Sequence, residues 1–397
     1  MNFWFRCWTC AARFPFELRE TKCACGGTLL VEYDLDRAAR TMSKDVLRHR
    51  TASMWRYAEL LPVSNPTSIV SLGEGWTPLI RMRAAERALG VRRLWVKREE
   101  QNPTGSFKAR GMSVALSVAL EHGVRKVAVN SNGNAASALA AYAARAGMEA
   151  YVFLPKDCPW LIAEECLHYG ARTTLVNGFI HDAGKLIADG AAEQGWHHVG
   201  TLREPGRAEG KKTMGLELAE QLGWKLPDVI VYPTGGGSGI IGMWNAFRQL
   251  RRLGWIDGKL PRIVAVQEAG CAPIAHAISG GAAPERVDST PTGMRVPNPP
   301  DGDLIVRILR ETGGTAVEVT ADDIQASQAV AGGYGISASP EGAATWAGFA
   351  RLLDQGWIRP YDEVVLFNTS HAMKYWPKDG RSLPVVGGYE EWKKQQP

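Results

Sequence analysis

No stretch of this 397-residue chain approaches the about 18 consecutive apolar residues of a membrane span. The opening residues, Met1-Asn2-Phe3-Trp4-Phe5-Arg6-Cys7, lack the basic-then-apolar layout of a secretory signal. These two absences predict a cytoplasmic protein with no membrane partner. Neither sign of charge dominates. The chain has 46 Lys and Arg against 41 Asp and Glu, interspersed, for a net charge of +5, which argues against a nucleic-acid partner. Internal repeats and low-complexity tracts are also missing. What remains, 45% hydrophobic and 22% charged, is an ordinary globular composition. At roughly 150 residues per domain, the length predicts more than one domain.

The most informative segment is Asn102-Pro103-Thr104-Gly105-Ser106-Phe107-Lys108-Ala109-Arg110-Gly111. A strand-like run, Leu94 to Arg98, precedes it, and Met112 to Leu120 carries apolar residues at helical spacing. Lys108 therefore stands at a helix start, where the macrodipole disfavours a cation. Such a lysine has a lowered pKa and can attack a carbonyl. A solvated surface lysine is the alternative on this segment alone.

A second segment, Tyr232-Pro233-Thr234-Gly235-Gly236-Gly237-Ser238-Gly239-Ile240, follows the apolar strand Asp228 to Val231 and opens a helix through Trp244 and Phe247. Glycines there let backbone N–H groups converge on an anion at a helix N-terminus. No Gly-Lys-Ser/Thr follows, and the dinucleotide spacing is absent. A reactive lysine and a phosphate cup without nucleotide motifs suggest pyridoxal 5′-phosphate (PLP).

Six ordered motifs carry a family resemblance over essentially the whole chain. They are Gly73-Glu74-Gly75-Trp76-Thr77-Pro78-Leu79, the Lys108 segment, Ser131-Asn132-Gly133-Asn134, Pro205 to Thr213, the glycine loop with Pro340-Glu341-Gly342 after it, and Asn368-Thr369-Ser370. The sequence resembles PLP-dependent enzymes of fold type II, the tryptophan synthase β-like family, and within it the threonine synthases. The resemblance implies a lyase that converts O-phosphohomoserine and water into threonine and phosphate, and a homodimer. By resemblance, Lys108 links covalently to PLP and then moves protons. Gly235, Gly236, Gly237, Ser238 and Gly239 hold the cofactor phosphate, Asn134 meets the ring hydroxyl, and Thr369 faces the ring nitrogen. Asn134 also reads as the N-cap of the following helix. Arg207 binds the substrate phosphate, aided by Ser106, Ser131 and Thr201. A salt bridge from Arg207 to Glu204 or Glu209 in a loop is the bland alternative.

The chain departs from this family at Gly236 and Gly239, where many threonine synthases carry asparagine, and at Ser370-His371-Ala372, where Gly-x-Gly is usual. A serine/threonine ammonia-lyase or a β-replacement synthase of cysteate-synthase type is the nearest alternative. A zinc-ribbon binding protein with an inactive enzyme-like body is a third, which the retention of Lys108 opposes.

Of seven cysteines, Cys158, Cys166 and Cys271 are scattered and read as buried apolar residues. Cys7, Cys10, Cys23 and Cys25 cluster as C-x2-C and C-x-C-G-G, four thiolates on two turns, which suits a structural zinc. A ribbon held only by Phe3, Trp4, Phe14 and Phe16 is the alternative.

Strand and helix patterns alternate from Leu94 onward, which predicts an α/β fold with parallel sheets covered by helices. Helices are expected over Leu161–Tyr169, Ala183–Ala192 and Thr213–Leu222, and strands over His197–Gly200 and Glu363–Phe367, among others. The predicted division is a zinc-ribbon-like β segment at 1–35 and an arm plus the first part of a large PLP domain at 36–112. A small domain follows at 113–205, and the rest of the large domain at 206–397. Gly280 to Asp303, rich in Pro and Gly, is expected to be a long loop near the active site.

Overall fold

A computed structural model describes residues 2–18, 22–178, 180–200, 204–281, 289, 291–378 and 393. The chain begins with a small antiparallel sheet of β1 (Phe3–Cys7), β2 (Arg13–Phe14) and β3 (Leu29–Tyr33), in the order β2-β1-β3. Phe3 and Phe5 both pack on Phe16, with ring centroids 4.9 Å apart in each pair. The arm after it folds as the short helices Leu35–Ala38 and Lys44–Arg48 and the 3-10 turn Met54–Leu60. Helices this short are marginal alone. Buried Leu47, Met54, Tyr57 and Leu60 anchor them on the main core.

The large sheet starts with β4 (Leu79–Arg81) and β5 (Arg93–Arg98). The chain then leaves to build a separate four-stranded parallel sheet from β6 (Lys126–Asn130), β7 (Glu149–Pro155), β8 (Arg172–Val176) and β9 (His197–His198), ordered β8-β7-β6-β9. It returns with β10 (Val229–Pro233), β11 (Arg262–Glu268), β12 (Thr315–Val319) and β13 (Glu363–Asn368). The large sheet runs β12-β11-β10-β13-β5-β4, and only β4 is antiparallel. Every residue of β10 is buried, as expected for a parallel strand covered on both faces. This order brings the carboxyl ends of β5, β13 and β10 side by side. Ligands of open α/β sheets bind outside those ends.

Three expectations need correction. The helix expected from Thr213 begins at Pro205 and runs to Gln221, so Arg207 lies in its first turn and not in a loop. Gly206 and Gly210 read as loop residues in sequence, yet they serve packing. A Cβ on Gly206 would lie 2.8 Å from Ala115 Cα, and one on Gly210 would meet the Arg110 carbonyl. Close crossing of this helix with Lys108–Glu121 needs the missing side chains. Second, β9 stops at His198 rather than Gly200. Third, Gly302 and Asp303 belong to the helix Gly302–Glu311, so the expected loop ends two residues early. Cys158 is only half-buried, whereas Cys166 and Cys271 are buried as expected.

The motif around Glu74 turns out to be a buried clamp rather than a cavity wall. Glu74 accepts from Trp55 Nε1 at 2.8 Å, Ser113 Oγ at 2.6 Å and Tyr142 Oη at 2.5 Å. Thr77 Oγ1 donates to Glu99 at 2.7 Å. Glu99 and Glu217 grip the fully buried Arg110 guanidinium at 2.5–2.8 Å, and Lys97 Nζ sits 3.0 Å from Glu217. This network fixes the Lys108 helix to β5 and to the Arg207 helix. Arg110, Lys97, Glu99 and Glu217 are ion-paired, and Glu74 is held by neutral donors instead, so burial of these groups is compensated.

Candidate active site

A cavity of about 640 Å³ lies beyond those strand ends. Lys108, the first residue of the helix Lys108–Glu121, reaches it from the turn after β5. Its Nζ lies 4.0 Å from the Phe107 ring centroid. Burial, and then the nearby Arg207 charge, pull its ammonium pKa down to about 7, against an opposing pull from Glu341. The shift favours the neutral, nucleophilic amine relative to an ordinary lysine.

Gly235, Gly236, Gly237, Ser238 and Gly239 follow β10 and line the same cavity. Gly237 adopts φ 70° at the N-cap of the helix Ser238–Arg252. A Cβ on Gly235 would lie 2.7 Å from the Gly293 carbonyl, and one on Gly239 would strike the Tyr232 hydroxyl. Packing thus demands glycine there, and the first N–H groups of the helix have no intrahelical acceptors.

Asn134, from the turn after β6, and Thr369, just past β13, face the cavity as expected. Asn134 is not the N-cap: Gly133 holds that position, and Asn134 is the first helical residue. Its Nδ2 donates to Tyr375 Oη at 2.8 Å, while its Oδ1 is buried without a partner. Glu341 accepts from Gly293 N–H at 2.9 Å through one oxygen and leaves the other buried and unpaired.

Of the expected substrate contacts that are described, Ser131 lines the cavity and Ser106 and Arg207 do not. Ser131 lines the cavity, but its Oγ is turned back to accept from Gly133 N–H at 3.0 Å. Ser106 is fully buried behind the wall, with its hydroxyl unpaired. Thr201 lies outside the described residues. Arg207 is buried near Lys108. Its Nη1 donates to the Val199 carbonyl at 2.8 Å, while Nε and Nη2 have no partner among the described residues. Burial lowers its pKa to about 10. Neither carboxylate of the bland alternative takes up its guanidinium. Glu204 caps the helix by accepting from the N–H groups of Gly206 and Arg207, and Glu209 accepts from Tyr33 and Lys212.

Sequence reasoning missed Tyr375, Glu341 and Lys211. Lys211 Nζ donates to Ser238 Oγ at 2.7 Å. Its one available signal was helical spacing from Arg207, which is invisible if that segment is read as a loop.

At the N-terminus, Cys7 and Cys25 sulfurs lie 3.5 Å apart, Cys10 and Cys23 sulfurs 3.7 Å apart, and all four fall within 4.8 Å. A tetrahedron with metal–sulfur bonds of about 2.3 Å has edges of about 3.8 Å. The shortened C-x-C knuckle therefore still converges.

The family model described as pyridoxal-phosphate dependent enzyme matches residues 70–370. Threonine synthase of Methanosarcina acetivorans is 37% identical over 377 residues, covering 93% of this chain and 91% of that protein. Threonine synthase of Methanocaldococcus jannaschii is 35% identical over 375 residues, covering 93% and 92%. Among solved structures, diaminopropionate ammonia lyase from Escherichia coli superposes with a TM-score of 0.65 at 18% identity, covering 77% of this chain and 87% of that one. The processed form of threonine deaminase isoform 2 from Solanum lycopersicum gives 0.63 at 24%, covering 74% and 79%. At those identities the superpositions show the fold alone. With the lysine, the glycine loop and the strand-end cavity in place, the chain belongs to the pyridoxal-phosphate-dependent enzymes, in the family of the threonine synthases.

Proposed function

We propose that this protein is a threonine synthase, converting O-phosphohomoserine and water into threonine and phosphate. The carrying observation is Arg207, buried near Lys108 with Nε and Nη2 unpartnered among the described residues. A buried guanidinium with free donors is poised for a phosphate or carboxylate. A phosphate-free dehydratase has no use for it.

The cavity fits the cofactor. Asn134 Oδ1 is buried on its wall without a partner among the described residues, Lys108 is activated, and the glycine loop opens a helix. When bound, PLP supplies the electron sink that stabilises charge on the substrate carbons. Lys108 holds the cofactor and, once released, carries protons at the α and β carbons. Gly235 to Gly239 hold the cofactor phosphate, and Asn134 and Thr369 orient the ring. Arg207 draws the substrate phosphate away from the γ carbon, with Ser131 and Thr201 nearby. Ser106, behind the wall, is bridged through its backbone to Ser370 and so supports that wall. The altered Ser370-His371-Ala372 segment has its own work: His371 Nδ1 accepts from Met373 N–H at 3.2 Å, and Lys374 Nζ binds Glu165 at 2.5 Å and the Thr104 carbonyl at 2.7 Å.

Residues 113–205 are assigned to a small domain, and 36–112 with 206–397 to the large one. Cys7, Cys10, Cys23 and Cys25 are assigned to a structural zinc. The working form is taken as a cytoplasmic homodimer. No described helix is long and apolar enough to cross a membrane. The deciding experiment is incubation of PLP-loaded protein with O-phosphohomoserine, following threonine and phosphate together. Equal yields support the reading. Ammonia release from serine or threonine, with O-phosphohomoserine untouched, assigns the chain to the ammonia-lyases instead.

A further inference from the structure

Among the described residues three lysines, Lys97, Lys211 and Lys212, have no exposed surface, and two of them are paired. Lys97 lies 3.0 Å from Glu217, and Lys212 lies 2.5 Å from Glu209. Lys211 differs. It sits one helical turn after Arg207, and no carboxylate pairs with it among the described residues. Among the described residues its one hydrogen-bond partner is the Ser238 hydroxyl at 2.7 Å, and its Nζ lies 5.8 Å from the Phe107 ring centroid. Burial, Arg207 and Lys108 together hold its pKa well below the ordinary lysine range, against an opposing pull from Glu204. A cation withdrawn from water among other cations is unfavourable unless an anion joins it. Glu204 is close enough to act on Lys211, but its oxygens are taken up in capping the Gly206 and Arg207 N–H groups, so no described carboxylate bonds to Lys211 and an anion carried by a ligand would complete it.

Hydrogen-bond direction narrows the ligand's position. Lys211 Nζ donates to Ser238 Oγ, which leaves the serine its own hydrogen to donate elsewhere; an anion at Ser238 would favour the ammonium form of Lys211, which has donors only. Ser238 lines the cavity and Lys211 does not. The donated hydrogen is thus the one that a cavity ligand can use. Ser238 is also the first residue of its helix, where N–H groups favour an anion. The other members of the loop, Gly235, Gly236, Gly237 and Gly239, bring no side-chain charge.

Resting on the reading that the cavity takes PLP, we propose that Lys211 is a positioning residue for the cofactor phosphate. It sets the Ser238 hydroxyl as a donor into the glycine loop and supplies the positive charge that the loop lacks. Arg207, with its own free donors, is left for the phosphate of the substrate. One helix then carries a cation for each of two phosphates, at positions i and i+4 on one face.

Two probes separate this role from packing. 4-Deoxypyridoxine 5-phosphate has the phosphate but no aldehyde, so it cannot link to Lys108. Pyridoxal has the aldehyde but no phosphate. In Lys211→Met apoprotein, the phosphate probe should bind about tenfold to a hundredfold more weakly, the range of a lost charge-assisted bond. Pyridoxal should bind within about twofold of wild type, because no phosphate contact is lost. The thermal midpoint of the apoprotein should stay level or rise, since an unpaired buried charge has gone. Lys211→Arg should regain part of the affinity. Ser238→Ala should reproduce much of the loss, and Lys211→Met should cost less in that background than alone. Equal weakening of both probes, or a lower apoprotein midpoint with phosphate affinity unchanged, overturns the proposal and makes Lys211 a packing residue. If Lys211→Met does not fold, the Lys211→Arg and Ser238→Ala arms decide by the same criterion. Wild-type protein that binds neither probe overturns the cofactor reading itself, and this proposal with it.

Discussion

Lys22 Nζ lies 2.7 Å from Asp301 Oδ1, joining the cysteine-bearing ribbon to the segment that walls the cavity. Thr28 Oγ1 donates to the same buried carboxylate oxygen. Lys22 also donates to the carbonyl of Pro300, a cavity-lining residue, at 3.1 Å. Lys22 and Thr28 bridge each other across the knuckle that holds Cys23 and Cys25. Whatever orders those cysteines therefore also orders Asp301. On the far side, Tyr33 Oη donates to Glu209 at 2.6 Å on the Arg207 helix. The ribbon is thus built into the surroundings of the active site.

Purified protein should contain about one zinc per chain, as a closed four-cysteine site implies. Cys7→Ser should lose the metal and expose the N-terminus to protease. Because of the Asp301 contact, it should also raise KM several-fold. Lys22→Met should raise KM while zinc content stays unchanged. Metal-free protein with wild-type protease resistance and kinetics would assign the ribbon to its aromatic packing alone.

Lys108→Ala should abolish the visible absorbance of covalently bound PLP, and the attachment that borohydride makes permanent, while leaving a folded protein. The depressed pKa adds a pH dependence. Capture of PLP by apoprotein needs the neutral amine, so its rate should rise as pH increases through about 7. Stability of the apoprotein follows the same group. Between about 7 and the ordinary 10.5 the unfolded chain holds a proton that the folded chain has lost. That component of stability therefore increases with pH across the window. Lys108→Met should remove it, as measured by urea unfolding at several pH values. An unchanged slope would mean that the lysine is not perturbed.

Arg207→Ala should keep the cofactor, whose phosphate belongs to the glycine loop, and lose kcat/KM for O-phosphohomoserine. Loss of a charge-assisted contact of about 1.5–3 kcal/mol or more corresponds to at least about tenfold. Arg207→Lys should recover little, because it lacks the planar fork. Any side reaction on serine or threonine should suffer far less. Equal losses on both substrate types would place Arg207 in helix packing and remove the chief support for the phosphorylated substrate.

Glu217→Gln should destabilise the fold by about 3–5 kcal/mol, the cost of breaking a buried ion pair. It strips Arg110 and Lys97 of a shared carboxylate beneath the Lys108 helix. Chemical denaturation with cofactor absent measures this directly. A loss below about 1 kcal/mol, the level of exposed pairs, would show that water reaches the cluster.

Local sequence determined what depends on neighbours along the chain. The strands at Glu149–Pro155 and Glu363–Asn368 and the helix from Asn134 to Ala146 follow from short-range periodicity. So do the Pro-Gly turn that presents Lys108, the glycine loop after an apolar strand, and the close spacing of four cysteines. Tertiary structure decided what depends on contacts between distant segments. The glycines of the Arg207 helix look like loop residues until its crossing with Lys108–Glu121 shows that they permit contact, so Arg207 changes from a loop residue to a first-turn residue. Pairing of β5 with β13, and of β13 with β10, brings Lys108, Thr369 and the glycine loop to one sheet end although they are far apart in sequence. Which buried charge has a partner is likewise invisible in one dimension. Lys211 and Lys212 are adjacent and chemically identical, yet one meets Glu209 and the other only a serine, because successive helical residues face different neighbours.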